Sequence, residues 1–533
     1  MNNVTAVLSM LHEQADINSA TRRFREQPVL SWTLHRLRMS QKIASIAILC
    51  WEDQADRIQF VADDAQIINR GERKPIASLQ SVAASRRWAD GWRGGLLWTC
   101  DFDLGFYGPA VKQIIERFAA DAVLLIDPSA GLVDAKILDQ LIERADSHEE
   151  GELIFTQAAP GLAGALARPL LVDRLTQANT HPGRILHYLP DQPVHDPITT
   201  KSCVAVATPL TRTSRNFRLD SDRQIQRLTH AAINLNGELI GSDAEQLLQR
   251  LEWSDDVDQL PREIVLELNT DRATSPIFWP GKHQCTQRAP ISVAMATQIF
   301  QQIANCDDIR LTFAGVGDPL LHENFFEILD AAKNAGIRAI HVETDLLPNE
   351  PVERLADSEV DVVSVHLPAL ARATYAAVMG VDRFVDAIEN IKRLVTRRHE
   401  RISGVPILVP TFVKCQINLG EMEQWYDQWL KALGAAVITG PSEFAGLIPN
   451  CGVGDMSPPK RRPCARLWSR MTILSDGKIV ACEQDVSGRQ MMGDVGTQSI
   501  SQVWREKFIE LRAAHKSGVC NAVCGACKEW HRP

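Results

Sequence analysis

Residues 309–322, Ile-Arg-Leu-Thr-Phe-Ala-Gly-Val-Gly-Asp-Pro-Leu-Leu-His, set a short apolar run against a glycine-rich loop closed by proline. Ile309–Phe313 reads as a strand, and glycines just after a strand let backbone come close to whatever faces it. Outward from this stretch the same unit repeats. Upstream, Ile264–Leu268 is a strand and Ser292–Asn305 a helix; downstream, the helix Phe325–Ala335 ends at Gly336 and a strand Ala339–Val342 follows. Asp361–Val365 is the next strand, Phe384–Arg397 its helix, and Val405–Val409 a fifth strand. Such alternation implies parallel strands covered by helices, in a closed or partly closed barrel.

The first part of the chain alternates in the same way. Val4–Leu8 is a strand, Pro28 opens a helix over Val29–Arg38, and Ser45–Cys50 is the next strand. Ala122–Ile126 ends at Asp127 and the helix Ala135–Ala145 follows, so a doubly wound α/β sheet is expected.

The last seventy residues change character. Cys464 and Cys482 are separated by twelve residues, Gly477 and four more, and Cys520, Cys524 and Cys527 stand near the end. An iron-sulfur cluster is held by about four cysteine sulfurs, and a CxxC turn presents two of them. A zinc ribbon uses similar pairs, normally as two CxxC knuckles, and buried thiols or a disulfide are the remaining readings. Met471–Leu474, Ser475-Asp476-Gly477-Lys478 and Ile479–Ala481 read as a β-hairpin with an Asp-Gly turn, which brings Cys464 and Cys482 together. Pro458–Pro463 is the linker into this module.

Composition frames these regions. A chain of 533 residues exceeds one hydrophobic core, so several domains are expected, here 1–255, 256–450 and 451–533. The formal charge of -9 argues against a general nucleic-acid partner. No apolar run approaches membrane-spanning length and the start lacks a secretory pattern, so the expected location is the cytoplasm, without a membrane partner. Twelve cysteines in such a chain point to metal or reduced thiols. Trp51, Trp88, Trp92 and Trp98 follow no period and read as core or contact residues, as do His341 and His366.

The cysteine pattern, with Arg466-Leu467-Trp468, Ser499-Ile500, Val503-Trp504 and Leu511-Arg512, resembles the SPASM or twitch module of radical SAM enzymes. That resemblance implies one auxiliary 4Fe-4S cluster held by Cys464, Cys482, Cys524 and Cys527, with Cys520 a spare thiol. The middle region resembles the radical SAM partial barrel. Gly315, Gly317, Asp318 and Pro319 stand where that family has its Gly-Gly-Glu-Pro motif, which receives the amino end of S-adenosylmethionine; Glu343-Thr344-Asp345 stand where it has Thr-Asn-Gly.

The CxxxCxxC loop of that family is missing. Arg272, Pro276 and Trp279 occupy the three positions, and Cys285, the nearest thiol, cannot anchor a cubane alone. Arg272 is expected to bind an anion or to pair with Asp271 or Asp318. The spacing Cys520-x3-Cys524-x2-Cys527 does recur at the chain end, but without a preceding barrel strand. Two readings of the Gly315–Pro319 loop follow: a site for S-adenosylmethionine or another small ligand without radical chemistry, or a turn the barrel needs.

The first region resembles sugar-activating nucleotidyltransferases of the cytidylyltransferase type. Ser19–Leu30 matches their nucleotide-binding opening, Leu125-Ile126-Asp127-Pro128 with Leu132-Val133-Asp134 their acidic metal loop, and Phe217–Asp222 a later segment. Arg25-Glu26-Gln27-Pro28 lacks the family's Gly-Lys pair; Arg22, Arg23 and Arg25 supply charge but not the close-approach glycine. Asp127 reads as a metal ligand or as a turn cap.

The whole architecture resembles the spiro-SPASM type: a nucleotidyltransferase-like domain, a degenerate radical SAM barrel and a SPASM module. It implies a 4Fe-4S protein for binding or electron transfer, linked to modification of a peptide, protein or sugar-nucleotide partner. The alternatives are a non-radical enzyme using S-adenosylmethionine or a nucleotide sugar, and a structural zinc protein.

Overall fold

The computed structural model of the chain describes residues 1–188, 191, 196–235, 237–254, 256–281, 287–348, 350–358, 360–455 and 457–532. Cys285 lies outside the described residues. Two compact units are present, Met1–Val257 and Asp258–Pro533.

Unit one is built on a seven-stranded sheet. Its strands are β1 (Val4–Ser9), β2 (Ile43–Cys50), β3 (Gln66–Asn69), β4 (Ala122–Ile126), β5 (Leu153–Thr156), β6 (Ala165–Ala167) and β7 (Cys203–Val204). Their order is β3-β2-β1-β4-β6-β5-β7. β1 pairs parallel with β2 on one side and β4 on the other. Every residue of β1 and β4 is buried, as expected of central parallel strands covered on both faces. The chain therefore leaves β1 in one direction and returns on its other side at β4. That reversal opens a crevice at their carboxyl ends, where doubly wound sheets take ligands. Antiparallel β6 makes the sheet mixed.

Unit two carries a nine-stranded sheet. β8 (Glu263–Leu266), β9 (Arg310–Phe313), β10 (Ala339–Thr344), β11 (Val362–His366), β12 (Ile407–Val413) and β13 (Val437–Thr439) follow in spatial order, all parallel. β14 (Arg470–Ile473) then pairs parallel with the outer side of β8, followed by antiparallel β15 (Lys478–Val480) and β16 (Met491–Asp494). The barrel is thus open: β14 holds the edge of β8 that closure would need, and β13 ends the sheet.

The strands alternate as half-covered sheets do. Leu311, Phe313, Ile340, Val342, Val363 and Val365 join the helices in one core, which places Thr312, His341, Glu343 and Ser364 on the other face. β12 starts at Ile407 rather than Val405 because Pro406 has no N–H for the ladder.

Candidate metal centre

The four thiols come from three elements of one module. Cys464 leads into the turn Ala465–Trp468, Cys482 follows β15, and Cys524 and Cys527 lie in and just after the short helix Ala522–Ala526. The hairpin forms as its sequence dictates: β14 and β15 pair antiparallel, and Gly477 in the turn has φ +87°, which costs glycine no Cβ clash. Asn521 caps the helix by accepting from Cys524 N at 2.7 Å, and Glu529 N donates to Cys527 Sγ at 3.3 Å.

Cys464 lies within electrostatic reach of Cys482, Cys524 and Cys527, and Cys520 within reach of Cys524. Burial pushes the Cys482 and Cys527 thiols up. It pushes Cys524 up to about 12, with Cys527, Cys464 and Cys520 adding to the rise. Thiols in this state ionise only against added positive charge, which iron brings. All four are free of disulfides.

Arg461, from the linker, donates to the carbonyls of Cys524 and, at 3.3 Å, Gly525, setting a cation beside the CxxC turn. Nothing in the linker's sequence marked that role. Among the described residues no three His, Cys, Asp or Glu side chains converge tightly enough for one metal ion. Four cysteine thiolates are the donor set that an iron-sulfur cluster takes.

At the barrel mouth, polar groups satisfy one another. Asp318 is buried and accepts from Thr344 Oγ1 at 2.8 Å, Asp345 N at 2.8 Å and Leu320 N at 3.0 Å. Burial and the nearby Asp345 push its pKa up. Pro319 sits in the short turn Pro319–Leu321 that Asp318 caps. The glycines are required by their own neighbours. A Cβ on Gly317 would stand 2.1 Å from Asn269 Oδ1, and one on Gly315 2.6 Å from Glu267 Cγ.

Arg272 and Trp279, at two of the positions where the family has cysteine, stack on one another at 4.5 Å and both donate to Val316 O. Arg272 pairs with Asp345 at 2.8 Å, which corrects the expectation of Asp271 or Asp318 as its partner. The reason is positional: Asp345 follows β10, one strand beyond the Gly315–Pro319 loop, and is fully buried.

Asp345 also accepts from Thr274, and His366 bridges Asp345 and Glu343 at 3.0 Å each. Burial opposes the His366 charge, but these two carboxylates outweigh it and hold the pKa at about 9. Burial is likewise outweighed at Glu343 by His366, and at Asp345 by Arg272, leaving both at about 2. His366 is therefore part of a charged network and not an ordinary core histidine. Strand periodicity alone carries no sign of that.

The crevice of unit one follows the same logic. Arg218 is buried among Asp101 at 3.1 Å, Asp220 at 2.9 Å and Asp127 at 3.9 Å. Burial disfavours its charge, but the three carboxylates raise its pKa. Asp127, at the end of β4, accepts from Ser129 N and Oγ at 2.7 and 2.6 Å, which is a turn cap. Arg22 pairs with Asp222 at 2.7 Å, and Arg25 donates to the carbonyls of Ala232 and Leu235. Those two arginines thus serve the fold. Glu13, just after β1, is pushed up to about 7, chiefly by burial.

The fold and the thiol set define an iron-sulfur protein on a parallel-stranded scaffold. The SPASM iron-sulfur cluster-binding domain matches residues 464–528. An uncharacterized protein of Treponema pallidum (strain Nichols) is 31% identical over 269 residues, covering 48% of this chain and 74% of that protein. Among solved structures, Streptococcus suis SuiB bound to precursor peptide SuiA aligns with 51% of this chain and 70% of its own, at 14% identity and TM-score 0.40. BtrN in complex with AdoMet and 2-DOIA aligns with 51% and 94%, at 16% identity and TM-score 0.36. A cytidylyltransferase from Leptospira borgpetersenii aligns with 46% and 92%, at 11% identity and TM-score 0.31. The chain carries a SPASM iron-sulfur cluster-binding domain at residues 464–528 and belongs to the same family as that Treponema pallidum protein. No helix among the described residues is long and apolar enough to cross a membrane.

Proposed function

We propose that this protein holds one 4Fe-4S cluster through Cys464, Cys482, Cys524 and Cys527, and works in binding or electron transfer rather than in reductive cleavage of S-adenosylmethionine. A bound cluster supplies one-electron redox chemistry; the chain supplies its anchoring thiols, the Glu529 N–H and the Arg461 cation. The observation that supports this reading is the contrast between the free thiols of the module, whose pKa values burial raises, and a barrel mouth filled by Arg272, Trp279 and Asp345.

In this reading the Gly315–Asp318 loop is a structural turn. Unit one is a binding or packing domain of nucleotidyltransferase type, with Arg218 standing where a metal cation would otherwise be needed among carboxylates. The working domains are 1–255, 256–450 and 451–533, and the protein acts in the cytoplasm on a peptide or protein, the partner class the SPASM resemblance implies. The SPASM iron-sulfur cluster-binding domain matched over residues 464–528 supports a cluster rather than a structural zinc ion.

The test is an anaerobic incubation of the iron-loaded protein with dithionite and S-adenosylmethionine. No 5′-deoxyadenosine should form above the rate seen without protein. Its formation at several turnovers per chain would restore radical chemistry and overturn the reading.

A further inference from the structure

The segments that carry the thiols are charged against the rest of the chain. Residues 457–475 and 511–528 hold eight lysines and arginines and no aspartate or glutamate, in a chain of formal charge -9. Three of the eight, Lys460, Arg461 and Arg462, are consecutive in the linker and all are exposed. Arg461 fixes where they sit: it donates to the carbonyls of Cys524, Gly525 and Cys527, so its two neighbours flank the CxxC turn. The helix Ile500–Lys516 ends close by. Burial and then Arg461 lower the pKa of His515, and Lys516 Nζ stands 5.4 Å from the ring of Trp468, in the turn after Cys464.

The nearby acids are answered elsewhere. Glu443 with Lys528, Glu529 with Arg532, and Asp455 line one cavity, whose wall does not include Lys460, Arg461 or Arg462. Glu483 is held by Arg466 at 2.9 Å and Arg470 at 3.0 Å. On the helix, Glu506 accepts from Gln502 at 3.4 Å and Glu510 from Lys507 at 3.1 Å.

A cluster bound by four thiolates is anionic, and Arg461 and Arg466 beside the thiols answer that charge. Lys460 and Arg462 do something else. Among the described residues they make no hydrogen bond or ion pair, so their charge faces solvent. They raise the potential over the surface at which the thiol set meets water. There Cys524 and Cys527 are half-buried, Gly525 and Ala526 are exposed, and a Cβ on Gly525 would meet nothing within 4 Å. Val519, next to Cys520, is 61% exposed. A basic rim around a small open turn steers an acidic partner to it, and electron-transfer contacts are of this small, transient kind. The rings beside the cations, Trp530 and Trp468, are buried and half-buried and offer bases no stacking platform, which favours a protein over RNA.

We propose that the linker Pro458–Pro463 and the CxxC turn form a docking surface for an acidic one-electron carrier protein, which exchanges an electron with the cluster. This rests on the electron-transfer reading above and gives it a place and a partner class. One electron passes between carrier and cluster, and no bond or proton moves.

The experiment uses the full chain loaded with iron, reduced with dithionite and desalted without oxygen. Its oxidation by flavodoxin, a small acidic flavin protein, is followed by stopped-flow absorbance. Raising the ionic strength from about 10 to about 100 mM shortens the Debye length from about 30 to about 10 Å, and the second-order rate should fall about tenfold. At the lower salt, Lys460→Glu/Arg462→Glu should slow the reaction about tenfold. The control Lys74→Glu/Lys392→Glu, with the same total charge, should slow it less than twofold, and a neutral benzoquinone should oxidise all three proteins equally fast. A rate independent of salt, or equal slowing by both double variants, overturns the proposal. Fluorescein-labelled oligouridylate that displaces flavodoxin and binds tighter would make the patch an RNA surface and overturn it as well. Protein without iron and sulfide fails the underlying reading, and the proposal with it. A cluster that benzoquinone oxidises and flavodoxin does not fails the proposal alone.

Discussion

The barrel mouth and the cysteine module sit in the same unit and treat buried polar groups in opposite ways. At the mouth, each oxygen of Asp318 and Asp345 has a donor from the chain itself, and Arg272 carries the compensating charge. In the module, Cys482, Cys524 and Cys527 are half-buried thiols whose pKa values burial raises against the opposing effect of Arg461, Arg466 and backbone donors. A site that satisfies itself gains little from a ligand, whereas a site that raises the pKa of its own ligands waits for a metal. Position relative to the strand ends does not separate them; the state of their valences does.

The sharpest way to break this contrast is to remove ligands. Cys482→Ser or Cys527→Ser should abolish most of the visible absorbance of the cluster, while Cys520→Ser should keep it; equal loss at Cys520 would redraw the ligand set.

A second test strips the compensating cation from a filled site. Arg272→Met takes the arginine cation from buried Asp345, which keeps His366, and Arg218→Met takes the nearest cation from Asp101 and Asp220. Each should cost about 3–5 kcal/mol in urea unfolding of its own unit. A loss below about 1 kcal/mol would mean that water already enters these sites.

The third effect is smaller and has a sign. His366 has its pKa raised from 6.5 to about 9, so its stabilisation is complete below pH 6.5 and disappears as pH rises through 9. Wild type should lose on the order of 1–3 kcal/mol over that window relative to His366→Gln. Parallel curves for the two proteins would exclude the ionised network. The smallest effect is expected from ligands of the filled sites. S-adenosylmethionine, or a magnesium–nucleoside triphosphate, should move the unfolding temperature by less than about 1 °C, whereas a true ligand at a hundred times its Kd adds about 2.7 kcal/mol.

Much of this was legible in the sequence where local chemistry decides it. Val4–Ser9, Val29–Arg38 and Ala122–Ile126 follow from apolar runs and Pro28, and the Asp476-Gly477 turn from the positive φ that only glycine adopts freely. The candidate thiol set is what the resemblance to SPASM modules implies, and Arg272, Pro276 and Trp279 stand where the resemblance to the radical SAM barrel places cysteines. The sixth barrel strand, Val437–Thr439, has too few residues to show a period.

Pairings across the fold were not legible. Arg272 finds Asp345 seventy-three residues away, Arg461 finds the CxxC carbonyls sixty-three residues away, and Arg218 gathers carboxylates from three loops. Such contacts depend on which strand ends become neighbours, and no local pattern encodes that.

The most direct test of the central claim is the iron and acid-labile sulfide content of the protein purified without oxygen. The account predicts about four of each per chain, lost together in Cys482→Ser. About eight of each, or zinc without sulfide, would contradict it.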